Sequence, residues 1–103
     1  MQFMVKIDVS LPAAMPQGEK DDFRKRENAR AHELVEEMKL RRIWRIVGTT
    51  ANYGIWEAES LEELHASIGS LPLYPFMKIE VTPLIAHPVT TSWQDSRCAL
   101  PAF

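Results

Sequence analysis

Four short runs of β-branched and aromatic residues, separated by two segments of helical period, follow one another in the order β-α-β-β-α-β, and that order leaves few folds open to the chain. The first run alternates, with Phe3, Val5, Ile7 and Val9 on one side and Met4, Lys6, Asp8 and Ser10 on the other. Pro12, Pro16 and Gly18 mark a loop. Residues 19–39 are rich in helix-tolerant Glu, Lys, Arg and Ala, begin with Glu19, Asp21 and Asp22 at the dipole's positive end, and bring Phe23, Ala31, Leu34 and Met38 to one face. Residues 42–47 and 53–56 read as two strands of a hairpin. Ser60 with Glu63 forms a capping box that opens a second helix, striped by Leu61, Leu64, Ile68 and Leu71 and ended by Pro72. A fourth strand lies near residues 77–81, and Pro83 and Pro88 break the chain after it.

This is the α+β, ferredoxin-like βαββαβ plan: an antiparallel sheet with two helices on one face. Residues 1–88 make one domain, and residues 89–103, which show no periodicity, make a C-terminal tail. The second sheet face needs cover, and 103 residues cannot supply another helical layer. A second copy packed sheet against sheet, a dimeric α+β barrel, is the expected solution.

Composition excludes several classes of function. Twelve Lys+Arg against fourteen Asp+Glu give a formal charge of −2, which offers no field for nucleic acid or an anionic membrane. No apolar stretch is long enough to span a bilayer, and the first residues alternate rather than forming a basic-then-apolar leader. The single Cys98 excludes an internal disulfide and a cysteine zinc cluster, and a reducing cytoplasm is the default location. Three scattered histidines give no metal site, and there is no phosphate-cradling loop, nucleophile elbow or dinucleotide fingerprint.

Glu27 is the most informative residue. It lies four positions after Phe23 and four before Ala31, inside the apolar stripe of the first helix. A carboxylate that faces inward loses solvation and its pKa rises, as a general base or acid near neutral pH requires; the bland alternative is a structural ion pair with an arginine, or a twist that lets it reach water. Arg45, between Ile43 and Val47, and the preceding Arg41 and Arg42 read singly as cross-strand salt bridges and together as recognition of an anionic substrate. Asn52 caps the hairpin turn or donates to a developing oxyanion. His87, held by Pro88 near the sheet end, is the one histidine retained as a catalytic candidate. Lys6 and Glu80 read as a cross-strand pair. Trp56 and Phe76 are packing residues or, for the aromatic stretch containing Phe76, a wall around a small organic ligand.

The segments Met4-Val5-Lys6, Ile43-Trp44-Arg45-Ile46, Ala51-Asn52-Tyr53, Glu63-Leu64-His65, Leu71-Pro72-Leu73-Tyr74-Pro75-Phe76-Met77, Ile79-Glu80-Val81 and His87-Pro88 together resemble the muconolactone delta-isomerase family. The resemblance implies a ring-like homo-oligomer of dimer units, typically a decamer, with active sites at subunit contacts and no cofactor. It implies an intramolecular isomerase that moves a C=C bond in a carboxymethyl-substituted butenolide during aromatic degradation, and a small anionic lactone as substrate. Glu27 matches the family's helix-one glutamate, which makes it the candidate for the proton shuttle. Independently of the resemblance, Asn52 and His87 are the candidates for stabilising the oxyanion, and Arg41 or Arg45 for holding the substrate carboxylate. Thr49 and Thr50 stand where the family usually carries an aromatic pair, so Thr50 changes the pocket's shape. The rival readings are a cofactor-free oxygenase, or another small-molecule enzyme, on the same fold, and a non-catalytic oligomeric binding protein.

Overall fold

The computed structural model describes residues 1–89. Strands β1 (Gln2–Val9), β2 (Leu40–Arg45), β3 (Asn52–Glu57) and β4 (Met77–Leu84) and helices α1 (Gln17–Glu36) and α2 (Leu61–Gly69) appear in the expected order, with a short 3-10 turn, Tyr74–Phe76, before β4. The strands form one sheet in the order β2-β3-β1-β4, every neighbouring pair antiparallel. This is the ferredoxin-like arrangement. Among the described residues no helix is long and apolar enough to cross a membrane.

The period-2 pattern of β1 sets the core. Phe3, Val5 and Ile7 are buried and pack with Leu34 of α1, Leu64 and Ile68 of α2, and Trp56 and Leu40 of the neighbouring strands. Both helices therefore cover one sheet face. On the opposite face Lys6 sits beside Glu80 in register, and their charged ends lie 3.9 Å apart, the expected cross-strand pair. Met4, Trp44 and Tyr53 remain exposed on that face.

The element bounds differ from the sequence expectation for identifiable reasons. Helix α1 stops at Glu36, because Met38 adopts a left-handed φ of 63°. The Lys39 N–H then bonds the Leu34 carbonyl and the Met38 N–H bonds that of Val35, a Schellman closure built without glycine. Met38, expected on the apolar face, has thereby left the helix and is exposed. Strand β2 starts and ends two residues early: an irregularity between Leu40 and Arg42 shifts its register, and Ile46 and Val47 fall in the turn, where Val47 is 95% exposed. Ser60 caps α2 by accepting the Glu63 N–H at 3.1 Å, but the Glu63 carboxylate reaches the Glu59 N–H rather than that of Ser60. Leu61 points outward instead of joining the apolar stripe, and α2 ends at Gly69, before Pro72. Strand β4 continues through Pro83 to Leu84, which its edge position permits, since a proline there leaves no ladder donor missing from a central strand. Of the tail, residues 90–103 lie outside the described residues.

Candidate active site

A cavity of about 660 Å³ opens between α1 and the helix-covered face of the sheet. Its floor is apolar: Ile7 and Val9 from β1, Ile43 from β2 and Met77 from β4, closed at one side by Leu71 and Leu73. Glu27 projects into it from α1, and Arg45, Thr50 and Asn52 reach it from the β2–β3 hairpin.

Glu27 is half-buried, as its place in the apolar stripe predicts. Burial raises its carboxyl pKa above the usual carboxylate range, and a hydrogen bond from the Leu73 backbone N–H opposes that rise without cancelling it. The donor approaches Oε1 at 3.0 Å. One carboxylate oxygen is thus fixed.

The hairpin brings Arg45 and Asn52 directly opposite each other, and β1 sets Ile7 on the other side of Asn52. The Arg45 guanidinium donates through Nη1 to the Thr50 carbonyl. Thr49 fastens the turn: its hydroxyl donates to the Ile46 carbonyl at 2.9 Å and accepts the Ala51 N–H at 3.0 Å. The Asn52 Oδ1 is buried and has no hydrogen-bond partner among the described residues. A buried acceptor left without a partner is unfavourable by about 1–3 kcal/mol.

Glu27, Arg45, Thr50 and Asn52 are therefore brought together. Four other sequence candidates are not. Arg41 sits at the β2 irregularity and does not line the cavity. Trp56 is 1% exposed within the core. Phe76 packs edge-on against Phe23 with ring centres 5.5 Å apart. His87 lies beyond β4, where its Nδ1 accepts the Val89 N–H at 3.0 Å.

Sequence reasoning passed over Lys20, Arg24 and Asn28, which line the same wall of the cavity. Their signal was present: positions 20, 24, 27, 28 and 31 form one helical stripe, polar where the cavity lies and apolar where the core begins.

Comparison with known proteins places this geometry. The family model for muconolactone delta-isomerase matches residues 1–90. Over 88 residues the chain is 47% identical to a muconolactone delta-isomerase of Cupriavidus pinatubonensis (strain JMP 134 / LMG 1197), covering 85% of this chain and 96% of that protein. It is 45% identical over 96 residues to a muconolactone delta-isomerase of Acinetobacter baylyi, covering 93% of this chain and all of its relative (100%). A crystal structure of muconolactone isomerase superposes with a TM-score of 0.81 at 40% identity, over 85% of this chain and 92% of that one.

Proposed function

The chain belongs to the muconolactone delta-isomerase family, and on that premise we propose that it shifts the C=C bond of a carboxymethyl-substituted butenolide, muconolactone to 3-oxoadipate enol-lactone or a related lactone, by carboxylate-mediated 1,3-proton transfer. It is an enzyme of the isomerase class, acting in the breakdown of aromatic compounds. The observation that carries the chemistry is Glu27: a half-buried carboxylate with a raised pKa, one oxygen held by a backbone N–H, facing a cavity of small-ligand size.

The reaction follows from what that group can do. Ionised Glu27 takes the proton from the γ-carbon of the lactone ring. The C–H electron pair moves into the ring, and negative charge collects on the lactone carbonyl oxygen as a dienolate. The same carboxyl, now protonated, returns its proton at the α-carbon. One group on one face serves both steps, and such acid–base catalysis contributes about 10²–10⁴-fold. Asn52, in the cavity wall, supplies its side-chain N–H to the oxyanion. Thr50 shapes the pocket wall, and the cations around the cavity favour an anionic substrate.

The reading extends to assembly. Met4, Trp44 and Tyr53 on the exposed sheet face make a surface that a second copy covers, sheet against sheet, with dimer units building a larger ring, and His87 and Arg41 then serve neighbouring sites or the contacts between subunits. Light scattering gives the subunit count, and a monomer at micromolar concentration defeats this part of the reading. We assign the protein to the cytoplasm, the default for a chain with a single cysteine.

The decisive measurement is ultraviolet absorbance of muconolactone and substituted butenolides with wild type and Glu27→Gln. Wild type converts at least one lactone, and the variant, folded and assembled as wild type, loses most turnover. Near-wild-type kcat in the variant assigns the base to another group.

A further inference from the structure

The cations that line the cavity are not equally engaged. Arg45 is bound to the hairpin through the Thr50 carbonyl. Elsewhere on α1, Arg26 pairs with Asp22 at 2.9 Å and lies over the Phe23 ring, and Arg30 reaches Glu33, Glu37 and Ser70. The side chains of Lys20 and Arg24 make no hydrogen bond or ion pair with any described residue, although both border the cavity.

We propose that Arg24, supported by Lys20 one turn earlier on α1, is the carboxylate clamp of this site and sets its selectivity for lactones bearing a free carboxylate. The proposal rests on the isomerase reading and refines it.

The chemistry of the substrate limits where such a clamp can sit. The carboxymethyl arm is attached to the ring carbon that surrenders its proton, so the carboxylate carbon is two bonds from the carbon that Glu27 deprotonates. Any group that binds the carboxylate must therefore lie within a side chain's reach of Glu27. Arg24 precedes Glu27 by three residues, which is about 4.5 Å along the helix axis and on the same side. Lys20 lies a further turn away and adds positive potential at the end of the arm. Arg41 does not reach the cavity, and Arg45 is oriented by the turn it holds. A guanidinium also suits a carboxylate better than an ammonium does, through two parallel N–H bonds. Its charge has a second effect. A substrate carboxylate set beside Glu27 makes that group harder to ionise, and an arginine between them offsets the repulsion.

Binding of 2-furylacetate, an unreactive flat five-membered ring with the same arm, tests the clamp apart from turnover. Calorimetry on wild type is expected to show tighter binding of the acid than of its methyl ester. Arg24→Met weakens acid binding about 10- to 100-fold, the loss of a charge-assisted hydrogen bond, and leaves the ester unchanged. Lys20→Met has a smaller effect in the same direction, and Arg24→Lys recovers part of the loss. With the lactone itself, Arg24→Met raises KM more than it lowers kcat. Equal binding of acid and ester by wild type, or unchanged acid binding by a folded Arg24→Met, overturns the clamp. If wild type isomerises the lactone and Arg24→Met keeps its KM, the clamp fails while the isomerase reading stands. If wild type turns over no lactone while furylacetate binding still depends on Arg24, the isomerase reading fails and the carboxylate site stands.

Discussion

The backbone N–H of Leu73 donates to Glu27 Oε1 at 3.0 Å, joining two positions 46 residues apart in sequence. This bond ties the first helix to the proline-bounded segment Leu71–Pro72–Leu73 that follows the second, so the packing of α2 helps to fix where the carboxylate stands. A glutamine at position 27 can accept the same N–H, and what it lacks is the ability to carry a proton.

Glu27→Gln is expected to separate stability from chemistry. The folded-state pKa of Glu27 lies above its unfolded value because burial disfavours the anion. The folded chain therefore holds the proton more tightly, and the group's favourable contribution is full below the unfolded pKa and is lost as pH rises through the folded one. A neutral amide escapes that loss. The variant should melt above wild type at pH 8, and the gap should close as pH falls into the ordinary carboxylate range. Thermal melts across pH 4–8 measure this, and a gap that widens toward acid would contradict it.

The same shift predicts the acid limb of the rate profile. Glu27 must be ionised to take the first proton, so kcat/KM falls as pH drops through its raised pKa, earlier than an unperturbed carboxylate would dictate. Steady-state rates on a lactone substrate between pH 4 and 8 locate the limb. A flat profile down to the usual glutamate pKa would remove Glu27 as the base.

Asn52→Leu should trade function for stability. Leucine has the same branched outline as asparagine, its extra bulk can enter the cavity, and it leaves no orphaned buried oxygen, so unfolding by urea should need as much denaturant as for wild type, or more. The loss of an amide at the oxyanion should lower kcat about 10²–10³-fold. An unchanged kcat would show that the amide plays no part in the reaction.

The fold was legible because its signals are local. The alternation of Phe3, Val5 and Ile7 fixes which sheet face is buried, and Ser60 fixes the start of α2. Glu27 was legible for a related reason, since a carboxylate inside an apolar stripe contradicts its neighbours. The strand and helix ends were less so. The left-handed Met38 and the register shift after Leu40 depend on how α1 is joined to the sheet, which no local propensity encodes. The cavity wall was missed at Lys20 and Arg24 because exposed cations on a helix usually face water, and only the gap between α1 and β2 gives these two something to bind. His87 and Arg41 stood out by sequence yet lie off this cavity, because the sheet carries the one past the end of β4 and the bulge carries the other aside.

Gly54 is required by a close approach rather than by backbone angle. A Cβ there would lie 2.9 Å from the indole Nε1 of Trp56 and 3.3 Å from both the Arg42 carbonyl oxygen and Leu40 Cδ1. Trp56 is 1% exposed and has nowhere to move. Gly54→Ala should therefore destabilise the domain by about 1–3 kcal/mol, the usual penalty for overpacking a core. Urea denaturation measures the loss, and the wild-type midpoint would mean that the strand yields without strain.

Met38 offers the opposite case, a position where the native residue is unfavourable. It closes α1 at φ 63°, a conformation in which an L side chain crowds its own backbone, and its side chain is 56% exposed, so little packing depends on it. Glycine adopts this conformation freely and suits the Schellman closure formed by the Met38 and Lys39 N–H groups. Met38→Gly should raise stability by about 0.5–1 kcal/mol, the relief of the left-handed strain less the entropy that glycine loses on folding. Met38→Ala keeps the Cβ and should gain nothing. Urea midpoints at unchanged slope decide between them, and a glycine variant no more stable than the alanine one would mean that the left-handed turn carries no strain at this position.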